Sequence, residues 1–201
     1  MIKLAIVVAF LFGLILPASA QPVDERVEKI AELEHGGKPH CTTFSMNDDG
    51  SSWVTAAHCV HGIADLTIDG HEANVVLMAL DGVDVAILSG PLSDGAFKVG
   101  PAPAVNAPVY SVGYNFNGES WGGPYRDEGR NIGRRIGGIV GKRIVDIVDF
   151  SSMVGSSGSP IIDENGDVVG IVTNGWRHSE MTMSPAYELF IRIVIGRVVV
   201  P

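Results

Sequence analysis

Short apolar runs alternate with turn residues along most of this chain of 201 residues. From position 42 onward the runs are rich in β-branched residues and are separated by Gly, Asp and Asn: SSWVTAAH, ADLTI, ANVVLMAL, DVAIL, APVYSVGY, GGIVG, RIVDIVDF, SPIID and DVVGIVT. Strand-sized runs at this spacing, divided by turn signals, are typical of an all-β sandwich or barrel. The pattern therefore predicts an all-β fold.

The segments between the runs differ in kind. Residues 47–50 and 163–167 predict hairpin turns, because Asn or Asp before Gly tolerates positive φ; calcium binding is the weaker interpretation, since Ca²⁺ needs six or more oxygen ligands. Residues 100–108 contain three prolines and predict an extended connector that divides the body into halves. The glycine-rich residues 115–138 are expected to form long loops.

The two ends of the body carry other patterns. Ahead of the first cysteine, apolar residues recur at helical spacing, at Val23, Val27, Ile30 and Leu33. With the acidic residues at its start, this stripe predicts a short helix docked on the body, within an N-terminal segment of residues 21–40. Residues 186–200 are apolar but interrupted by charges. They predict a docked helix or an edge strand rather than a membrane anchor.

Residues 1–20 have the pattern of a secretory signal peptide. A basic residue near the start precedes an apolar stretch at 4–16, and Ala-Ser-Ala at 18–20 fits a cleavage site. A membrane span needs about 20 apolar residues, and this stretch breaks at Pro17. Cleavage before Gln21 is therefore the favoured interpretation, and no stable membrane anchor is expected. An uncleaved signal that tethers the protein is the alternative.

Composition narrows the function further. The chain is 46% hydrophobic and 18% charged, which excludes disorder for most of it. Its net charge is −9 and its one basic cluster is the pair Arg134-Arg135, so nucleic-acid binding is not expected.

Export would place Cys41 and Cys59 in an oxidising compartment, where two cysteines of a small secreted domain usually pair. Two buried free thiols are the alternative. A bridge enclosing residues 42–58 would stabilise the fold by about 3 kcal/mol.

Three segments contain candidate chemistry: TAAHC at 55–59, DVAIL at 84–88 and GSSGSP at 155–160. Each alone has an ordinary structural explanation, as a hydrogen-bonded histidine, a turn before a strand, or a loop. Together, and in the order His, Asp, Ser, they resemble the motifs of the chymotrypsin-like serine proteases. The same order excludes the subtilisin and α/β-hydrolase arrangements. Among the subgroups, the chain is most similar to short bacterial secreted proteases of the Deg type or the glutamyl type.

This resemblance implies a fold and a division into domains. It implies two antiparallel β-barrels, at residues 41–99 and 109–201, with the active site in the cleft between them. The histidine and aspartate would come from the first barrel and the serine from the second. It also implies that Cys41 pairs with Cys59, the cysteine that follows the histidine.

The resemblance assigns the catalytic roles. Ser157 would be the nucleophile, His58 the base that takes its proton, and Asp84 the carboxylate that orients the imidazole. Asp81 is a competitor for the last role, but it lies in a turn signal, whereas Asp84 leads directly into an apolar run. The N–H groups of Gly155 and Ser157 would bind the tetrahedral oxyanion.

The expected substrate-binding residues are Ser151, Thr173, Asn174 and Gly175. Ser151 stands where trypsins have the Asp that attracts Lys or Arg, and Val172 stands where glutamate-specific relatives have a His. An uncharged residue on the acyl side of the cut is therefore expected. His178 is a candidate acid receptor or, as the preferred interpretation, a surface-loop histidine.

The position before the nucleophile also departs from the trypsin pattern. Trypsin-type precursors are activated when a freed N-terminus pairs with an aspartate there. In this chain the position is Ser156, and no Ile-Val-Gly-Gly start is present. That activation switch is expected to be absent.

The sequence thus predicts a secreted or periplasmic serine endopeptidase that acts on proteins or peptides through an acyl-enzyme. A catalytically inactive or latent binding protein on the same fold is the alternative. No cofactor is expected. No catalytic metal is expected either, because His35, His40, His61 and His71 show no ligand spacing with Cys or carboxylates.

Overall fold

The computed structural model describes residues 29–46, 50–80, 83–116, 120–137, 143–150, 153–175 and 181–198. In these residues the chain forms two seven-stranded sheets, one from each half of the sequence, and a helix near its end. Every pairing between neighbouring strands is antiparallel. The two sheets form a half-barrel and a nearly closed barrel, the chymotrypsin-like architecture expected from the sequence.

The first sheet contains β1 (Ile30–His35), β2 (Lys38–Ser45), β3 (Ser52–Thr55), β4 (Leu66–Ile68), β5 (His71–Glu72), β6 (Asn74–Ala79) and β7 (Val85–Ser89). Its strand order is β5-β4-β1-β2-β3-β7-β6. A 3-10 turn at Ala57–Cys59 follows β3. Leu33, Trp53, Ile68 and Leu88 fill the core of this sheet together with both cysteines.

The second sheet contains β8 (Pro108–Phe116), β9 (Trp121–Gly137), β10 (Arg143–Val148), β11 (Pro160–Ile162), β12 (Val168–Ile171), β13 (Asn174–Gly175) and β14 (Thr182–Pro185). Its strand order is β12-β11-β8-β9-β10-β14-β13. Helix α1 (Tyr187–Val198) follows the last strand. Residues 100–107, in the segment expected to be a connector, form no strand, and β8 begins at Pro108.

A shared apolar cluster joins the two halves. Phe44 and Val54 of the first sheet pack in one cluster with Val112 and Ile171 of the second and with Phe190 of α1. All five side chains are almost completely buried. Burial of this kind is the main favourable contribution to folding, so the two barrels are held together by a common core.

The expectation of long loops at 115–138 is wrong, because β9 occupies residues Trp121–Gly137. The strand is poor in apolar residues, so the sequence contains no hydrophobic alternation there. The polar residues nevertheless alternate in burial: Tyr125 and Asp127 are half-buried, whereas Arg126 and Glu128 are exposed. Pairing with β8 on one side and β10 on the other stabilises the strand through its backbone.

The predicted N-terminal helix is also wrong where the structure describes it. Ile30–His35 is strand β1, and residues 21–28 lie outside the described residues. Strand β1 pairs with β2 on one edge and β4 on the other, and tertiary pairing of this kind overrides a short helical stripe. The first sheet therefore begins at Ile30 rather than at Cys41.

At the other end, the helical alternative for residues 186–200 is confirmed for Tyr187–Val198. Phe190 and Val194 are four residues apart, lie on one face of α1 and are buried in the shared cluster. Asp146 of β10 accepts a hydrogen bond from the Tyr187 N–H at 2.8 Å, which satisfies one of the free donors at the start of the helix. No helix among the described residues is both long enough and apolar enough to cross a membrane.

Replacing Phe190 by alanine should lower the free energy of unfolding by about 3–5 kcal/mol, because a fully buried aromatic ring leaves a cavity between helix and barrels. Urea denaturation measures the loss. Ile195→Ala is the control, since this residue of the same helix is 38% exposed. It should lower the free energy of unfolding by at most about 1 kcal/mol, because the higher helix propensity of alanine offsets part of the lost packing. Equal losses in the two variants would contradict the described packing of α1.

Candidate active site

The His58 backbone is fixed by the carboxylate that faces it. His58 lies in the 3-10 turn after β3, and Asp84 lies directly before β7. Asp84 accepts three hydrogen bonds from this turn: its carbonyl from the Ala57 N–H at 3.2 Å, Oδ1 from the His58 N–H at 2.8 Å, and Oδ2 from His58 Nδ1 at 2.9 Å. To reach this position Asp84 adopts a φ of +58°, a left-handed conformation uncommon for residues other than glycine.

The protonation of the histidine ring follows from this contact. An ionised carboxylate can only accept hydrogen bonds, so Nδ1 of His58 is the donor and Nε2 is left with a free lone pair. The Asp84 side chain is 6% exposed and that of His58 is 42% exposed. The pair thus consists of a buried, oriented carboxylate and a partly exposed imidazole. Asp81, the competing candidate, lies outside the described residues.

Cys41 and Cys59 form a disulfide, as the sequence predicts. The bridge joins β2 to the turn that carries His58, and the Cys59 sulfur lies 3.6 Å from Nε2 of His58. The same sulfur lies 4.0 Å from the carbonyl oxygen of Ser157. These two sulfurs and His58 are close enough together to suggest a metal site, but sulfurs joined in a disulfide cannot act as thiolate ligands.

Ser157 lies in a tight loop ahead of β11, which we call the nucleophile loop and define as residues 153–159. Its carbonyl accepts a hydrogen bond from the Thr42 N–H of β2 at 2.9 Å, which brings the loop against the first sheet. Among the described residues, no hydrogen bond joins the Ser157 side chain to His58. Such contacts are often loose in the absence of substrate and tighten when it binds.

Hydrogen bonds to two loop carbonyls orient the N–H groups of the same two peptides. The Val154 carbonyl accepts a hydrogen bond from the Phe116 N–H at 2.7 Å, and the Ser156 carbonyl accepts one from the Ser159 N–H at 2.9 Å. In a trans peptide the N–H points away from the carbonyl. The N–H groups of Gly155 and Ser157 therefore point away from these anchored carbonyls, and Gly155 has the φ of +91° that this loop requires.

The structure describes three of the four expected substrate-binding residues. Asn174 and Gly175 form β13 and pair with Met183 and Thr182 of β14. Thr173 is buried, and its hydroxyl donates to the Met183 carbonyl at 3.1 Å. Ser151 and His178 lie outside the described residues. Val172 is buried, and its carbonyl accepts from the Gly158 N–H at 2.7 Å, which joins the nucleophile loop to this strand region.

Two residues at the site have no motif in the sequence. Thr42 follows the first cysteine, is fully buried and contacts the nucleophile loop. Tyr125 of β9 has the hydroxyls of Ser159, Ser156 and Ser111 around its phenol oxygen. Burial raises the pKa of Tyr125 to about 12, although these serine contacts act in the opposite direction. For Thr42 the one signal in the sequence is its position next to Cys41. We find no sequence signal for Tyr125.

Comparison with known proteins gives the following matches. The family model described as "Trypsin-like peptidase domain" matches residues 41–171. No curated protein shows a significant match. Among solved structures, Rv3671c from M. tuberculosis H37Rv, as a serine-to-alanine mutant in the inactive form, has a TM-score of 0.66 and 25% identity, over 87% of this chain and 89% of that chain.

Two further structures share the fold at lower identity. The MamO protease domain from Magnetospirillum magneticum has a TM-score of 0.67 and 17% identity, over 83% of this chain and 95% of that chain. The HtrA-type protease AlgW, solved with a decapeptide, has a TM-score of 0.66 and 15% identity, over 85% of this chain and 65% of that chain.

The raised pKa of Tyr125 predicts a pH dependence of stability. Below about pH 10 the Tyr125 phenol is neutral in both the folded and the unfolded state, so its contribution to the free energy of unfolding is fully present. Between about pH 10 and 12 the phenol ionises only in the unfolded state, and this contribution is lost. The melting temperature of the wild type should therefore fall relative to Tyr125→Phe over this range. An ultraviolet absorbance titration of phenolate formation, taken as the difference between the two proteins, checks the cause: ionisation of Tyr125 near pH 10 would contradict it.

Proposed function

Since the chain belongs to the trypsin-like peptidase family, we propose that it is a secreted serine endopeptidase that cleaves peptide bonds through Ser157, His58 and Asp84. The observation that carries this proposal is the hydrogen bond between Nδ1 of His58 and the buried Asp84 carboxylate at 2.9 Å, in a turn that is bridged to the strand holding the nucleophile loop. In this proposal His58 is the oriented base, and Ser157 lies in a loop that is hydrogen-bonded to the same strand.

In the proposed reaction, Oγ of Ser157 attacks the carbonyl carbon of the scissile bond while Nε2 of His58 takes the hydroxyl proton. The carbonyl oxygen becomes an oxyanion, which the N–H groups of Gly155 and Ser157 stabilise. The tetrahedral intermediate then collapses, and the leaving amine takes the proton from His58. The acyl-enzyme that remains is hydrolysed by water through the same steps, again with His58 as the base.

Asp84 contributes through the charge that develops on His58. The imidazolium formed in each step lies beside a carboxylate that is 6% exposed, where electrostatic attraction is screened less than in water. The second oxygen of Asp84 is bonded to the His58 backbone N–H, so the carboxylate cannot rotate away from the ring without losing that bond. Its role is to hold the tautomer and to stabilise the cation.

The substrate class is proposed to be proteins or peptides. The AlgW structure is described with a decapeptide, and the fold shared with it is the main support for extending this class to the present chain. Thr173, Asn174 and Gly175 are proposed to line the substrate side of the cleft, where β13 lies next to the residue that holds Gly158. We propose a preference for an uncharged residue on the acyl side of the cut.

The alternative is a binding protein or latent precursor on the same fold, because the fold alone does not establish catalysis. The hydrogen-bonded His58–Asp84 pair favours the enzyme, since a binding protein has no need of an oriented base. Reactivity of the serine separates the two functions.

A fluorophosphonate probe should label the wild-type protein, because it reacts only with an activated serine hydroxyl. Ser157→Ala and His58→Ala should abolish labelling, and Asp84→Asn should slow turnover by about 10⁴-fold, as loss of the orienting carboxylate does in this class of triad. Gel fluorescence and peptide hydrolysis measure these effects.

Ser89→Ala and His61→Ala are the matched controls, because both side chains belong to exposed residues outside the site. They should label at the wild-type rate. A folded, disulfide-bonded wild type that remains unlabelled would contradict the endopeptidase proposal and favour the binding protein.

Secretion is proposed from the signal-peptide pattern of residues 1–20. Expression of the full chain with an export-competent host should yield a mature protein that begins at Gln21, and intact mass with N-terminal sequencing detects it. A mature chain that still begins at Met1 would support the tethered alternative instead.

A further inference from the structure

We infer that Thr42, a residue of the first sheet, is a positioning residue for the oxyanion-binding N–H groups of the second; the inference rests on the proposed function. Thr42 is fully buried and lies on β2, immediately after Cys41. It contacts the nucleophile loop twice, through its backbone N–H to the Ser157 carbonyl at 2.9 Å and through its hydroxyl to the Gly155 carbonyl at 3.1 Å.

The contacts of Thr42 complete a series in the nucleophile loop. Each carbonyl from 153 to 157 accepts a hydrogen bond, in order from the Ser156 N–H, the Phe116 N–H, the Thr42 hydroxyl, the Ser159 N–H and the Thr42 N–H. The contacts to the Met153 and Ser156 carbonyls are internal to the loop. Within the described part of the chain, Thr42 is the only residue of the first sheet that donates to this series.

The hydroxyl of Thr42 is itself fixed. It accepts a hydrogen bond from the Tyr114 N–H of β8 at 3.0 Å, so its lone proton is free for an acceptor. The Gly155 carbonyl, at 3.1 Å, is closer than the Tyr114 carbonyl, at 3.4 Å. The Thr42 carbonyl in turn accepts from the Thr55 hydroxyl at 2.8 Å. The donor to Gly155 is thus part of a buried network that joins both sheets.

This donor acts on the peptide that is easiest to turn. Gly155 has no side chain and a φ of +91°, so the peptide between Gly155 and Ser156 can rotate with little steric cost. The two flanking peptides, which carry the Gly155 and Ser157 N–H groups, each share a Cα atom with this peptide, so its rotation would loosen the backbone that positions both groups. The hydroxyl of Thr42 opposes it by holding the Gly155 carbonyl toward the protein interior. The Phe116 and Ser159 N–H groups fix the two peptides that carry the oxyanion donors, and Thr42 fixes the peptide between them when β2 packs against the loop.

The residue before the nucleophile is also held without a charged group. In place of a charged switch residue, the Ser156 hydroxyl makes a local hydrogen bond to the Met153 carbonyl at 2.6 Å. The same hydroxyl also lies close to the Tyr125 phenol of β9. Besides Thr42, the Phe116 N–H and the hydrogen bonds that Gly158 and Ser159 make with Val172 join the loop to the rest of the protein.

Close packing around Thr42 leaves it little room to move. A methyl group added at Gly158, which has a φ of +88°, would overlap the Thr42 carbonyl oxygen and the Thr55 hydroxyl. A methyl group added at Gly113 would overlap the Ser159 hydroxyl and lie 3.1 Å from Oγ1 of Thr42. The two glycines allow strand β8 and the loop to approach Thr42 this closely.

The test compares Thr42→Val with two matched variants in the full chain. Thr42→Val keeps the shape of the side chain and removes its hydroxyl donor, whereas Thr42→Ser keeps that donor. Thr43→Val removes the next buried hydroxyl of β2, which donates to the Val54 carbonyl at 2.9 Å and does not contact the loop. Fluorophosphonate labelling rates are measured on folded protein, together with kcat and KM for a peptide substrate and with melting temperatures.

Thr42→Val should lower the labelling rate and kcat by about 10- to 100-fold, which is somewhat less than the effect of losing an oxyanion donor itself. KM should change by less than about threefold, because substrate binding is not affected. Thr42→Ser and Thr43→Val should stay within about threefold of the wild type. Destabilisation alone would lower the melting temperature of Thr43→Val as well, without this change in kcat.

Wild-type rates in Thr42→Val would overturn the inference, and so would equal losses in Thr42→Ser or Thr43→Val. If Thr42→Val does not melt cooperatively, Thr42→Ala is read by the same criteria. A wild type that does not label at all is a different outcome: it refutes the proposed function, whereas a labelled wild type with an unaffected Thr42→Val refutes only the role of Thr42.

Discussion

The structure depends on the burial of strand β2 on both of its faces. Cys41 lies in the core of the first sheet, whereas Phe44 lies in the apolar cluster that the two sheets share. Residues from Cys41 to Ser45 are all buried. A strand in this position cannot shift by one residue without moving every side chain to the opposite face, so the register of β2 fixes how the two halves of the molecule meet.

The candidate site is assembled from two separate halves that each depend on this strand. The disulfide ties the His58 turn to β2 at Cys41, and the next residue holds the nucleophile loop. Asp84 completes the first half through the three hydrogen bonds it accepts from the turn. Backbone groups and hydroxyls supply the contacts of the second half, whereas the first half also uses the Asp84 carboxylate.

The sequence predicted the parts of this arrangement that are local and short. The pairing of His58 with Asp84, the disulfide and the all-β class follow from motifs or from apolar runs of strand length. Strand β9 was missed because its polar residues leave no hydrophobic alternation, and its stability comes from pairing with β8 and β10. The helix predicted up to Leu33 failed for a related reason, since pairing on both edges of β1 outweighs local spacing. The role of Thr42 depends on contacts 72 and 113 residues away along the chain, which no local pattern contains.

The two glycines packed against Thr42 affect how a mutational survey of this protein would be interpreted. Gly113 and Gly158 carry no chemistry, yet any side chain at either position would collide with the Ser159 hydroxyl or the Thr42 backbone. A screen scored by loss of activity would rank both positions with the residues proposed to be catalytic. Only a screen that also measures the amount of folded protein would separate positions that perform the chemistry from positions that give it space.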